Sequence, residues 1–202
     1  GVQQALTLDT PVLKVAQNST HTVSAGSLSL RNTSGTSAVA STGGGTLNLV
    51  ATGSGGQDGH VRFDDGVVAT QGVGQLNVNA AGSVVLSSRR ETTAVTVPAD
   101  PGNYADATSD IVDNVTVTTV KTTSRAVASG LQADAAVNVR AQSVTTGHGA
   151  VAQIKAGQGT LTVEQASATP VVSKASVGAG GQLELAGHSL SQKGLIEVSA
   201  GT

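Results

Sequence analysis

The sequence predicts an all-β chain and, within that class, a parallel β-helix (β-solenoid) of about 22–24 residues per coil. Three observations carry the prediction. First, one five-residue phrase recurs: glycine, any residue, an aliphatic, any residue, an aliphatic. It reads Gly26-Ser-Leu28-Ser-Leu30, Gly45-Thr-Leu47-Asn-Leu49, Gly59-His-Val61-Arg-Phe63, Gly74-Gln-Leu76-Asn-Val78 and Gly82-Ser-Val84-Val-Leu86. It returns as Gly159-Thr-Leu161-Thr-Val163, Gly181-Gln-Leu183-Glu-Leu185 and Gly194-Leu-Ile196-Glu-Val198. Each copy is a turn feeding a short strand with one apolar and one polar face, because successive side chains of a strand leave on opposite sides. Second, the aliphatic pairs Val137/Val139, Leu161/Val163 and Leu183/Leu185 lie 24 and 22 residues apart, with further pairs between them. That is the period of a stacked repeat. Third, Phe63 and Tyr104 are the only aromatic residues. A core of Val, Leu, Ile and Ala suits thin, repeated layers. A β-sandwich of short strands is the alternative, since spacings of 8 to 15 residues between several copies satisfy it as well.

Residues 1–23 read as an opening segment: alternation around Leu6 and Leu8, then Val12, Leu13 and Val15, broken at Pro11. It either caps the first coil or is donated to a neighbouring molecule, since a bare strand edge invites pairing. Residues 24–88 carry five copies of the phrase, their glycines 19, 14, 15 and 8 residues apart. Gly-, Ser- and Thr-rich turns such as Ser41-Thr-Gly-Gly-Gly45 link them. Residues 89–112 break the rhythm: two of the four prolines and the only tyrosine fall there. The segment is predicted to be an excursion loop or hairpin from the body. Residues 113–202 resume the β-solenoid, with Asp113-Asn-Val115-Thr-Val117 and Ala135-Ala-Val137-Asn-Val139 as glycine-free copies. At this period the chain holds roughly eight or nine coils.

The net charge is −2, and Arg89-Arg90 is the only basic pair. Neither a nucleic-acid footprint nor a basic amphipathic helix is present, and no apolar run is long enough to span a membrane. Nucleic acid and membrane insertion are therefore not expected. The chain has no Cys, a pattern suited to passage through an oxidising compartment. It has no Met either, so Gly1 is expected to be a processed terminus.

The densest group of polar chemistry is Gly55-Gly-Gln-Asp58-Gly-His60-Val-Arg-Phe63-Asp64-Asp65-Gly66. Asp58, His60, Asp64 and Asp65 are the candidate metal ligands: hard oxygens suit calcium, and imidazole suits zinc or copper. The same residues also read as structure. Asp58-Gly59 and Asp65-Gly66 are turn dipeptides, and the alternation with Val61 and Phe63 directs His60 and Arg62 to solvent. No cofactor is otherwise implied. Paired carboxylates such as Asp64 and Asp65 on a solenoid face are the basis of a polysaccharide-acting enzyme. Such grooves stack sugars on aromatics, which are missing, and no nucleophile-elbow pattern accompanies the four histidines. The reading is therefore not an enzyme. Arg89, Arg90 and Tyr104 in the excursion are the candidate binding residues, since Arg and Tyr anchor interfaces. Sequons stand at Asn18, Asn32 and Asn114.

The repeated Gly-x-Leu-x-Leu/Val strands, with phrases such as Asn79-Ala-Ala-Gly-Ser-Val-Val-Leu86 and Val177-Gly-Ala-Gly-Gly-Gln-Leu-Glu-Leu-Ala-Gly-His188, resemble the filamentous-haemagglutinin class of large secreted bacterial exoproteins. The resemblance implies a right-handed parallel β-helix forming the shaft of an adhesin, at the bacterial cell surface or outside the cell. Its expected partners are the rest of a longer chain, other copies of itself, or host-surface and matrix glycans or proteins. The competing expectation is a filament or surface-lattice subunit that polymerises through exposed strand edges.

Overall fold

The computed structural model describes residues 4–55, 58–98, 118–166 and 180–198. Among these residues the chain is all-β. The first eight strands are β1 (Ala5–Asp9), β2 (Val12–Lys14), β3 (Thr20–Ala25), β4 (Ser27–Arg31), β5 (Ser41–Ala51), β6 (Val61–Asp64), β7 (Val67–Ala80) and β8 (Val84–Ser87). Next come β9 (Arg90–Pro98) and β10 (Thr118–Ala126). The rest are β11 (Ser129–Gln132), β12 (Ala136–Ala141), β13 (Ser143–Thr146), β14 (Val151–Lys155), β15 (Thr160–Gln165), β16 (Gln182–Ala186), β17 (Ser189–Gln192) and β18 (Leu195–Glu197). Two compact units result: Arg90–Arg125, and the remainder of the chain as the main body.

The main body consists of two sheets, and the strand pairings within it run parallel among the described residues. One sheet orders its six strands β1-β4-β6-β8-β13-β18, always the next strand of that kind along the chain. In the other, the long β7 serves two rows. Its beginning pairs with β2 and β11, and its end pairs with β5 and β12. From there β14 and β16 extend one row, while β15 and β17 extend the other. The β-sandwich alternative is not favoured, because antiparallel strands are what its hairpins and Greek keys require.

The register is regular where no insertion falls. Paired residues stand 22 apart at Ala5/Ser27, 23 at Val61/Val84 and Ser129/Ala152, and 24 at Val137/Leu161. Val84 and Val144 pair across 60 residues, which falls to 24 once the 36 residues of Arg90–Arg125 are left out. Leu28 and Val61 pair across 33, the extra length being the loop after Asn32. That loop also removes one strand from a row, so β2 pairs directly with β7. Among the described residues the first sheet has six levels, against the eight or nine coils that chain length predicts.

The phrase explains the core. Its two aliphatics point inward and stack level upon level: Leu28 on Val61 on Val84, Leu30 on Phe63 on Leu86, Leu47 on Leu76 on Val137 on Leu161. Nearly all are fully buried, Phe63 among them. Each contributes about 1.5–3 kcal/mol by leaving water. The phrase's glycine marks close backbone approaches: a Cβ at Gly59 would meet the Ala51 carbonyl oxygen, and one at Gly74 that of Gly43. Gly72, just before a copy of the phrase, takes φ +74, and a Cβ there would meet the Val15 carbonyl oxygen, so only glycine fits where the residue after β2 lies against β7.

Residues 1–23 contribute three strands, β1 to β3, each paired within this chain in the same parallel sense as the later levels. The unit Arg90–Arg125 contains a two-stranded sheet of β9 and β10. Glu91 meets Arg125 at 3.6 Å, and Thr123 donates to the Thr93 carbonyl at 3.3 Å. One partner number falls as the other rises, as in an antiparallel ladder. The glycine-free copy at Asp113–Val117 and the middle of the predicted 89–112 excursion lie outside the described residues.

Candidate functional site

Around the turn from β6 to β7 the four predicted metal ligands do not converge. Asp64 ends β6, and its carboxylate accepts from the Ser29 hydroxyl at 2.9 Å and from the Arg62 guanidinium at 3.3 and 3.4 Å. Asp65 sits at φ 56, a left-handed conformation that Asp tolerates, with Gly66 following at φ +90. Its backbone is fully used: the carbonyl accepts from Asn32 at 2.7 Å, and the N–H donates to Ser87 at 3.2 Å. Its carboxylate takes the Arg89 guanidinium at 2.8 Å. His60 is half-buried, and its Nδ1 accepts the Ser83 N–H at 3.1 Å. Asp58 is exposed, and its Cβ and the His60 ring lie over Gly82, where an added Cβ would come within 2.8 Å of each. Among the described residues no three His, Asp or Glu side chains gather closely enough to hold a metal ion. Two arginines beside the carboxylates also oppose a cation there.

Of the predicted binding residues, two are described. Arg89 is 45% exposed and tied to Asp65. Arg90 is exposed at the start of β9. Tyr104 lies outside the described residues. Of the sequons, Asn32 is buried, with its amide donating to the Thr36 and Val67 carbonyls, so its nitrogen is committed. Asn18 is exposed in a turn at φ 55, and Asn114 lies outside the described residues.

Sequence reasoning missed two features of the outer face of β3, β5, β7, β12, β15 and β17. The first is a column of polar side chains in register: Thr22, Asn48, Asn77, Asn138, Thr162, Ser191. Asn48 donates to Thr22 at 3.2 Å, Asn77 to Asn48 at 2.8 Å, and Asn138 to Asn77 at 3.3 Å, while Gln75 also donates to the Asn77 carbonyl oxygen at 3.1 Å. The signal was in the sequence: the middle residue of Leu47-Asn-Leu49, Leu76-Asn-Val78 and Val137-Asn-Val139 is the same.

The second is an open groove of about 560 Å³ two residues further along the same strands. Val50, Asn79 and Arg140 are paired neighbours on β5, β7 and β12 and form its floor. Thr52, Ala81 and Ala166, where each chain leaves the sheet, form its wall. Burial alternates along β12, so Arg140 points outward between the buried Val139 and Ala141. Among the described residues Arg140 has no ion pair or hydrogen bond, in contrast to Arg31, Arg62, Arg89 and Arg125. Glu164 is its neighbour in register on β15, yet the two are not within ion-pair distance.

No protein family, curated protein or solved structure matches this chain. The functional reading therefore rests on the geometry alone. One more titratable group is tuned. Thr33 donates its backbone N–H and its hydroxyl to Asp9, at 3.0 and 2.7 Å, and Arg31 adds its charge at 3.1 Å. Together they hold the Asp9 carboxyl below its ordinary value.

Proposed function

We propose that this chain is a stretch of parallel β-helix that serves as the stiff shaft of a bacterial surface or secreted adhesin, presenting contacts from its outer face and its inserted loops. The observation that carries the reading is the parallel pairing repeated in both sheets of the main body, 22 to 24 residues apart at several levels and 26 to 33 apart at others. A chain that returns to the same three rows advances by one inter-strand spacing each time, so six levels stand about 25 Å tall. Backbone pairing between levels and the asparagine column give that stack stiffness without a wide core. Insertion of 36 residues between β8 and β11 without loss of the step is how a shaft carries appendages.

The test is whether the purified chain adheres. Retention on immobilised cell-surface glycoproteins or extracellular matrix, at a level above a Cys-free β-rich control protein, is the expected result. Absence of retention on every such surface contradicts the adhesive part of the reading.

A second reading has one observation in its favour. Leu190, at an inward position of the open edge strand β17, is 52% exposed, and Leu195 and Val198 nearby are 38% and 41% exposed. An apolar strand edge of that kind favours a filament subunit that pairs with the next copy. Concentration-dependent filaments under electron microscopy are its test, and a monomer at all concentrations contradicts it.

A further inference from the structure

We infer that the groove over Asn79 and Arg140 is a binding site for a carboxylate-bearing sugar. The inference deepens the adhesive reading and rests on it, since it says which surface of the shaft makes contact and with what chemistry. It starts from Arg140. Arg31, Arg62 and Arg89 each hold a carboxylate of this chain. Arg140 has none, although Glu164 stands beside it in register. Its guanidinium is a planar fork of donors free to grip a planar, singly charged oxyanion with two parallel hydrogen bonds.

The surroundings select the ligand. Asn79, paired with Arg140 on the next strand, adds an amide that both donates and accepts, which suits a sugar hydroxyl or an acetamido group. The remaining wall is methyl groups from Val50, Thr52, Ala81 and Ala166, which suit the C–H face of a pyranose or an acetyl methyl. A volume of about 560 Å³ is the size of a site for one or two sugar rings. Glu164, in register beside Arg140 but outside the groove's lining, lowers the positive potential there and so weakens the hold on an anion. A mostly apolar groove with one unpaired cation and no aromatic platform predicts weak, charge-dependent binding, of the kind that surfaces strengthen by multivalency.

The experiment titrates the isotopically labelled full chain with N-acetylneuraminate and follows amide chemical shifts. The neutral sugar N-acetylglucosamine is the control. The expected result is saturable shifts confined to Val50, Asn79, Ala81, Arg140 and their neighbours, with none from the neutral sugar. Arg140→Ala is expected to weaken binding by about tenfold or more, Arg140→Lys by less, and Glu164→Gln to tighten it severalfold by removing the competing charge. Arg140 and Glu164 are exposed, so the variants are expected to keep the wild-type spectrum away from the groove. No shift from N-acetylneuraminate, equal shifts from the neutral sugar, or undiminished binding in Arg140→Ala overturns the assignment. Retention on cell-surface glycoproteins separates the two levels of the argument. If wild type and Arg140→Ala are retained equally, the groove is wrong and the adhesive reading stands. If neither is retained, both fall.

Discussion

The turn from β6 to β7 and the outer face of β5, β7 and β12 hold the same kinds of residue in opposite states. At the turn, Asp64 is paired with Arg62, Asp65 with Arg89, and His60 with the Ser83 backbone. Three of the four candidate ligands are thus used within the fold, and the exposed Asp58 is the exception. On the outer face an arginine stands beside a glutamate in register without pairing, in a groove it shares with Val50 and Asn79. Density of charge in a sequence thus marks where charges neutralise one another. An isolated charge among methyl and amide groups marks where something else can bind.

Variants sharpen that contrast in order of effect. Both regions sit on buried columns, so removing the floor of either is the largest change. Phe63→Ala beneath the turn is expected to cost about 3–5 kcal/mol and Leu76→Ala beneath the outer face about 2–5 kcal/mol in urea unfolding. Comparable losses show that neither region is an appendage, while a loss well under 1 kcal/mol in one places that region outside the core. Next comes the asparagine column. Asn77 takes part in three side-chain hydrogen bonds. Asn77→Ala is expected to cost about 1–2 kcal/mol, since each partly exposed bond contributes about 0.5 kcal/mol. The half-exposed Arg89–Asp65 pair is worth less: Arg89→Ala is expected to cost about 0–1 kcal/mol, shrinking further in high salt.

The acid limb of the stability curve tests the Asp9 cluster. Its folded carboxyl is held below the ordinary value, so its contribution is fully present above pH 3.8 and fades as pH falls below that through the lowered value. Asp9→Asn is expected to lower stability slightly at neutral pH, leave the acid end nearly unaltered, and so flatten the change across that window. The smallest effect is calcium. With Arg62 and Arg89 holding Asp64 and Asp65, millimolar calcium is expected to leave the unfolding midpoint unmoved, and a rise reversed by a chelator contradicts the pairing described for the turn.

The body was legible in the sequence because its rule is local. Apolar residues two apart face the same way, so Leu47/Leu49 and Val137/Val139 announce buried columns, and the 24-residue step between Val137 and Leu161 is their actual pairing. The count of levels was not legible, because residues in loops and insertions lengthen the chain without adding a level, as the loop after Asn32 does. Nor was the groove. Arg140 sits in an ordinary strand, and its lack of a partner depends on which residues the register places around it, 61 positions away at Asn79 and 24 away at Glu164. The predicted ligand cluster misled because adjacency along a strand and its turn sends neighbouring side chains to different partners. Asp64 turns to Ser29 and Arg62, and Asp65 to Arg89.

The parallel step is the claim on which the rest depends, and one cross-link tests it directly. The chain has no cysteine. Asn138 and Thr162 are partners in register on adjacent parallel strands, both on the outer face. Neighbouring strands lie about 4.8 Å apart, within the about 4.4–6.8 Å between Cα atoms that a disulfide spans. The double variant Asn138→Cys with Thr162→Cys is expected to oxidise to an intramolecular disulfide under mild conditions, read by mass spectrometry of the closed peptide. Asn48→Cys with Thr162→Cys, held apart by β7 and β12, is expected to stay reduced. Failure of the first pair to close, or closure of both pairs alike, contradicts the parallel step.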